Sequence, residues 1–178
     1  MSRGIMQRLV GLCAVTAALA CAKDTTSIYV TLKAESGVRA VAQGGFIRVF
    51  DADDQSATPM PIVTPQTFEF KDGDLTFLVN HTQSGHPRVR IEAEVYRLPA
   101  VMPGGGGGAG RFDGLMPGNG LANDRVIVEW QTDTILKVEM TLRDRCLISL
   151  IGRPCPLAQR CDSMGMCVDA TVSPSPYR

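Results

Sequence analysis

The sequence predicts an all-β protein, an antiparallel β-sandwich followed by a small disulfide-rich module. Three observations predict it. Apolar residues recur at every second position in about seven short segments between Ser27 and Arg143, which is the period of half-buried strands. No segment keeps a helical apolar period over a useful length, so the crossover helix that parallel sheets need is missing. Four of the six cysteines, Cys146, Cys155, Cys161 and Cys167, fall within 22 residues near the C-terminus.

The chain opens with Arg3 and Arg8, then an apolar run from Leu9 to Ala20 without an acidic residue. That is the layout of a secretory signal peptide, residues 1–20. The run is too short for a transmembrane helix, which needs about 20 apolar residues to cross roughly 30 Å of hydrocarbon. Cleavage after Ala18-Leu19-Ala20 leaves Cys21 at the new N-terminus. The stretch Ala17-Ala18-Leu19-Ala20-Cys21 resembles the lipobox of bacterial lipoproteins, which implies acylation of the Cys21 thiol. Cysteine parity favours the same reading. Cys13 leaves with the signal, so an unmodified Cys21 would be an odd, exposed thiol beside four others in an exported chain. Acyl chains contribute about 0.8 kcal/mol per buried CH₂, and two or more hold a protein stably on a membrane. Ala22 follows the cysteine in place of the aspartate that retains lipoproteins at the inner membrane, so the expected destination is the outer membrane; the alternative is a plain secreted protein, released when an ordinary signal peptidase cuts after Ala18-Leu19-Ala20.

Loss of residues 1–20 removes two cations and no anion, leaving 16 basic against 18 acidic residues. Nucleic acid is therefore not an expected partner, since phosphate binding needs a basic patch. Residues 21–26 form a short lipidated tether. The predicted β domain spans 27–145. In "SIYVTLKA", Ile28, Val30, Leu32 and Ala34 alternate with polar residues, and "GFIRVFD" sets Ile47 and Val49 against Phe46, Arg48 and Phe50. "TFEFKDGDLTFLVN" reads as two strands joined in a hairpin at Lys71-Asp72-Gly73-Asp74, because glycine accepts the positive φ of a tight turn. "PRVRIEAEVYR" points Val89, Ile91, Ala93 and Val95 inward and Arg88, Arg90, Glu92, Glu94 and Tyr96 toward solvent. Residues 99–124 contain nine glycines and read as a long loop between strands. Alternation then resumes in "RVIVEWQ" and "TILKVEMTLR", with Val126, Val128 and Trp130, then Leu136, Val138, Met140 and Leu142, facing in. The tail, 170–178, is proline-punctuated and reads as disordered.

The glycine run is not a phosphate loop, because Gly110 is followed by Arg111-Phe112-Asp113 rather than lysine and a hydroxyl at a helix start. Asp51, Asp53 and Asp54 cluster as calcium ligands do, but Ser56 and Ile62 stand where an EF-hand needs glycine and glutamate. His81 and His86 lie in a glycine-containing turn without a nucleophile elbow. These acids and histidines are the candidates for an alternative reading as a metal-binding or hydrolytic periplasmic protein. The module cysteines are separated by eight, five and five residues, without the close pairs of a zinc site or a redox Cys-x-x-Cys. In an oxidising compartment an even set reads as two disulfides. Spacing alone leaves three connectivities open. The expectation is the interleaved one, Cys146 with Cys161 and Cys155 with Cys167, which ties a strand end to a small knot.

"CPLAQRCDSMGMCV", Cys155 to Val168, resembles the short C-P-x-G-Q-x-C-x-x-G-x-C-V modules that close many cell-surface and secreted proteins of myxobacteria and related delta-proteobacteria. It shares Pro156, Gln159, Cys161, Gly165, Cys167 and Val168. The whole layout is similar to uncharacterised lipoproteins of those bacteria: signal, lipobox, β-rich domain, then this module at 146–169. The resemblance implies a cell-envelope location and no known catalytic activity. The β domain is expected to resemble immunoglobulin-like or carboxypeptidase-regulatory-like domains. The expected function is that of a non-enzymatic, cofactor-free lipoprotein, held to the membrane by its lipid and acting as a structural, adhesive or binding module toward an envelope protein or polysaccharide. Contacts are expected on the loops 51–66 and 99–124.

Overall fold

The computed structural model describes residues 26–56, 59–70, 73–80, 86–97, 119–131 and 134–177. The segment expected to be a signal peptide, Cys21, His81 and most of the glycine-rich stretch lie outside these residues. The described chain is mostly β. It runs β1 (Ser27–Ala34), α1 (Ser36–Val41), β2 (Gly44–Asp51), β3 (Gln66–Glu69), β4 (Leu75–Asn80), β5 (Arg88–Tyr96), β6 (Ala122–Glu129) and β7 (Ile135–Leu142). A 3-10 turn (Asp144–Cys146) and α2 (Ile148–Ile151) lead into β8 (Gln159–Cys161), β9 (Cys167–Asp169) and β10 (Ser175–Pro176).

Two four-stranded sheets result, ordered β10-β7-β1-β4 and β3-β2-β5-β6, with β8-β9 as a separate hairpin. The period-two residues of both sheets enter one hydrophobic cluster: Ile28, Val30, Leu32, Leu136, Val138 and Met140 from the first, Ile47, Val49, Val89, Ile91, Val126 and Val128 from the second. β-branched side chains dominate these positions, which suits a pleated surface buried on one side. At about 1.5–3 kcal/mol for each large aliphatic side chain, this cluster is the main stabilising term before chain entropy is subtracted.

Among the described residues, the named strands pair antiparallel with one exception, and an isolated bridge between Ile127 and Thr171 is also parallel. β1 and β7 run parallel, from Ser27 opposite Ile135 to Ala34 opposite Leu142. Absence of a crossover helix does not forbid this pair, because the rest of the domain makes the return path between them. The expected hairpin at 71–74 is also corrected. β3 belongs to one sheet and β4 to the other, so the two strands do not pair as a hairpin and the corner between the sheets falls here; Lys71 and Asp72 themselves lie outside the described residues. Gly73 does supply a positive φ, 89°, but three aromatic rings decide the geometry: Phe68 sits 5.5 Å from Phe70 and 5.7 Å from Phe77. Burying those rings joins the two sheets at that corner, where a tight hairpin would have kept both strands in one.

The helix α1 was not expected from sequence. It buries Val38, and the Val38 amide donates to Asp144 Oδ1 at 2.8 Å. A Cβ on Gly37 would sit 2.7 Å from that carboxylate, so glycine is what lets Asp144 approach. The helix is thus fixed by a residue that follows β7, which no local pattern reports.

Two boundaries move. The loop expected to end at Asp124 gives way to strand at Ala122. Asn123 and Asp124 are poor strand formers by propensity, but Asp124 is held by tertiary partners: its Oδ2 accepts from the Thr141 amide at 2.9 Å and from Arg160 at 2.8 Å. The tail expected to be disordered is ordered through Tyr177. Ala170 is fully buried, the Ile127 amide donates to Ala170 O and the Val172 amide to Ile127 O, and β10 then pairs antiparallel with β7. The tail therefore covers the free edge of β6 in one sheet and of β7 in the other. Removing residues 170–178 is expected to cost about 2 kcal/mol, the net worth of the few backbone hydrogen bonds lost. It is also expected to open two edges to self-association. Urea titration and light scattering read the two effects, and a truncated chain that stays monomeric at an unchanged midpoint would contradict the role given to the tail.

Candidate functional site

Six side chains on the outer face of β2, β5 and β6 build the most unusual part of the molecule. Strand parity puts Arg48, Phe50, Arg90, Glu92, Glu94 and Arg125 opposite the core-facing set. Register then sets Arg48 beside Glu92 and Glu92 beside Arg125, a row of alternating charge across three strands. Such a row was expected to be solvated. It is buried instead: Arg90 and Glu94 are each 2% exposed, and Arg48, Glu92 and Arg125 are all below a tenth.

Pairing makes the burial tolerable. Arg90 Nε lies 3.0 Å from Glu92 Oε1, Arg125 Nε 3.5 Å from the same oxygen, and Arg48 ion-pairs with Glu94. The second oxygen of Glu94 accepts from the Gly120 amide at 2.8 Å. The guanidinium of Arg90 stands 4.9 Å from the centre of the Phe50 ring and that of Arg48 5.8 Å, both within cation–π range. Burial, with the Glu94 carboxylate next in weight, pushes the Tyr96 phenol far above its ordinary range. Burial likewise lowers the Arg125 pKa, against the pull of Glu92. Three arginines against two glutamates leave one surplus positive charge, and Arg48 Nε and Arg90 Nη2 make no hydrogen bond. The cluster is suited to fixing the register and orientation of the three strands.

The cysteine module closes one side of this face. Cys146 is bonded to Cys161 and Cys155 to Cys167. Arg125 Nη1 donates to the carbonyls of Cys155 and Pro156 at 2.8 and 2.6 Å, and Arg160 reaches back to Asp124. Within the module, Cys146, Cys155 and Cys161 form a small cluster of their own. Its hairpin turn is shaped by Asp162, whose Oδ1 accepts from the amides of Met164 and Met166. Those bonds hold the Asp162 carboxyl below its ordinary range. Gly165 supplies the positive φ, 82°, that the turn requires.

No protein-family model matches the sequence, and neither curated proteins nor solved structures give a significant match.

The acids and histidine singled out earlier are only partly brought together. His86 Nδ1 stands 2.9 Å from Asp51 Oδ2. Asp53 turns toward Arg88 at 3.2 Å, and Asp51 Oδ1 accepts from the Asp53 amide. Asp54 closes its own turn by accepting from the Ser56 amide at 2.9 Å, and these Ser56 bonds lower its pKa. Among the described residues, no three His, Cys, Asp or Glu side chains converge as metal ligands. Also among them, no helix is long and apolar enough to cross a membrane. The buried charged row was missed because alternation separates two faces without saying what covers the second. The usable signal was the same-parity match of Arg48, Glu92 and Arg125 on three strands, flanked by Phe50 and Tyr96.

Proposed function

We propose that this chain is a lipid-anchored protein of a bacterial cell envelope, acylated on Cys21, and that it acts without catalysis as a structural, adhesive or binding module. The observation that carries the reading is cysteine parity. The four module cysteines are consumed in two disulfides, Cys13 belongs to the signal segment, and Cys21 is the cysteine left over. On this reading the two four-stranded sheets form a β-sandwich of the immunoglobulin-like or carboxypeptidase-regulatory-like kind, and the module clamps its end. A buried, paired charge cluster is what a rigid display domain would use to fix one arrangement of its strands.

Growth of cells expressing the chain with radiolabelled palmitate tests the anchor. Label is expected on the mature protein and is expected to vanish with Cys21→Ala. Absence of label, or label that survives the substitution, overturns the proposal. The Asp51–His86 contact favours a second reading, as a metal-binding or hydrolytic protein drawing on Asp53, Asp54 and His81 as well. Elemental analysis separates the two: stoichiometric metal that disappears with Asp51→Asn and His86→Ala would replace the first reading with the second.

A further inference from the structure

The outer face of the β10-β7-β1-β4 sheet carries an apolar patch at the end where β1 begins. Register places Leu78 beside Tyr29, and Tyr29 beside Lys137. The Tyr177 ring leans against Tyr29, tilted by 49° with centroids 4.8 Å apart, and the Tyr177 amide donates to Ile135 O at 2.8 Å. Leu78, Ile135 and Tyr177 are 49%, 41% and 47% exposed. They stand out because the alternating positions of the same strands, Ile28, Val79 and Leu136, are buried in the core. Large apolar and aromatic side chains grouped this way on a sheet face mark a contact surface.

Chain geometry says what that surface meets. The acylated residue and the first described one, Thr26, are five residues apart, and an extended chain covers at most about 3.3–3.6 Å per residue, so the tether reaches roughly 18 Å. Tyr29 lies only about 10 Å further along the chain, at about 3.3 Å per residue. We propose that this face, centred on Tyr29, Leu78, Ile135, Tyr177 and Lys137, rests on the headgroup layer of the bilayer that holds the acyl chains of Cys21. The inference depends on the lipid anchor proposed above. The patch has the make-up such a layer favours. Tyrosine presents an apolar ring and a polar hydroxyl at the interface, and a lysine among them can extend its ammonium to lipid phosphate. Anchored at one end and resting on that face, the domain would turn its opposite sheet, with the cysteine module at that sheet's edge, away from the membrane.

The test uses the full acylated protein reconstituted into phosphatidylethanolamine–phosphatidylglycerol vesicles containing lipids brominated near the head of the acyl chain. In a Trp130→Phe background, the emission of Leu78→Trp is expected to be at least halved by the brominated lipid, and that of Met166→Trp to be unchanged. Equal quenching at the two positions overturns the docking. Intact mass is taken on the same sample: acyl mass with equal quenching sinks the docking alone, and missing acyl mass sinks the anchor beneath it. Hydrogen exchange on the unsubstituted protein gives an independent reading if Trp130→Phe fails to fold. Slower exchange of 75–80 and 175–177 on vesicles than in the unacylated Cys21→Ser chain supports the docking, and unchanged exchange there overturns it.

Discussion

Replacing Arg160 with alanine is expected to destabilise the protein by about 3–5 kcal/mol at neutral pH, the cost of leaving a buried carboxylate without its cation. Asp124 is the carboxylate, 1% exposed in its side chain and 2.8 Å from Arg160. Burial already raises its pKa above the usual carboxylate value, while Arg160 and the Thr141 amide work against that rise. The substitution removes the main opposing charge, so the pKa climbs further. The sign follows from linkage. A carboxyl whose folded pKa is raised favours the native state when protonated, below its unfolded pKa, and that contribution is lost as pH rises through the folded value. The gap between Arg160→Ala and the natural protein should therefore be narrow near the ordinary carboxylate pKa and widen toward neutrality. Urea midpoints at a series of pH values measure it. The second substitution Asp124→Asn should recover most of the loss, and a gap that stays constant with pH would show that Asp124 is not its source.

Reducing both disulfides is expected to cost about 3 kcal/mol each in the chain-entropy account, because each closes a loop of roughly 15 residues or slightly fewer. The sequence separations are 15 and 12. Little else holds the module together. Its only buried cluster is made of Cys146, Cys155 and Cys161, and Leu150, Leu157, Met164, Met166 and Val168 are exposed. A combined loss of about 6 kcal/mol approaches the whole stability of many domains, roughly 5–15 kcal/mol. The damage would not stop at the module, because the Cys155 and Pro156 carbonyls are what Arg125 binds. Releasing them leaves a buried guanidinium on the sheet short of partners. Urea unfolding with and without reductant, with reduction verified by alkylation mass, is the measurement. A fully reduced protein that keeps its midpoint would refute this account.

The inward faces of the strands were legible because their cause is local. Ile28, Val30 and Leu32, or Val89, Ile91, Ala93 and Val95, follow from period-two alternation alone, and all are fully buried. The disulfide character of the C-terminal segment was legible from an even, clustered set of cysteines. What could not be read depends on residues far away in the chain. Arg90, Glu92 and Glu94 look like any solvated strand face until Phe50 and Arg125 come alongside and the module closes over one edge. Asp124 looks like loop until Arg160 pairs with it. The tail looks free because prolines suggest no structure, yet strand edges left open by β6 and β7 give its amides and carbonyls partners. The Asp-Gly segment was read as a hairpin, but the positive φ of Gly73 fixes only local direction, and β3 and β4 lie in different sheets. Of the candidate site residues, Asp51 and His86 meet and Asp53 and Asp54 are diverted to Arg88 and Ser56, a division that sequence spacing has no means to foretell.

The parallel pairing of β1 with β7 has a consequence in time. Residue 27 finds its partner only when residue 135 exists, and its other neighbour, β4, is itself distant in sequence. Chains dominated by such non-local pairing fold slowly, in the millisecond-to-second range for two-state β domains, and stopped-flow refolding would place this one on that scale. The first strand can therefore take its β4 neighbour once residues 75–80 exist, but it becomes an interior strand, held on both sides, only after residues 135–142 have been made.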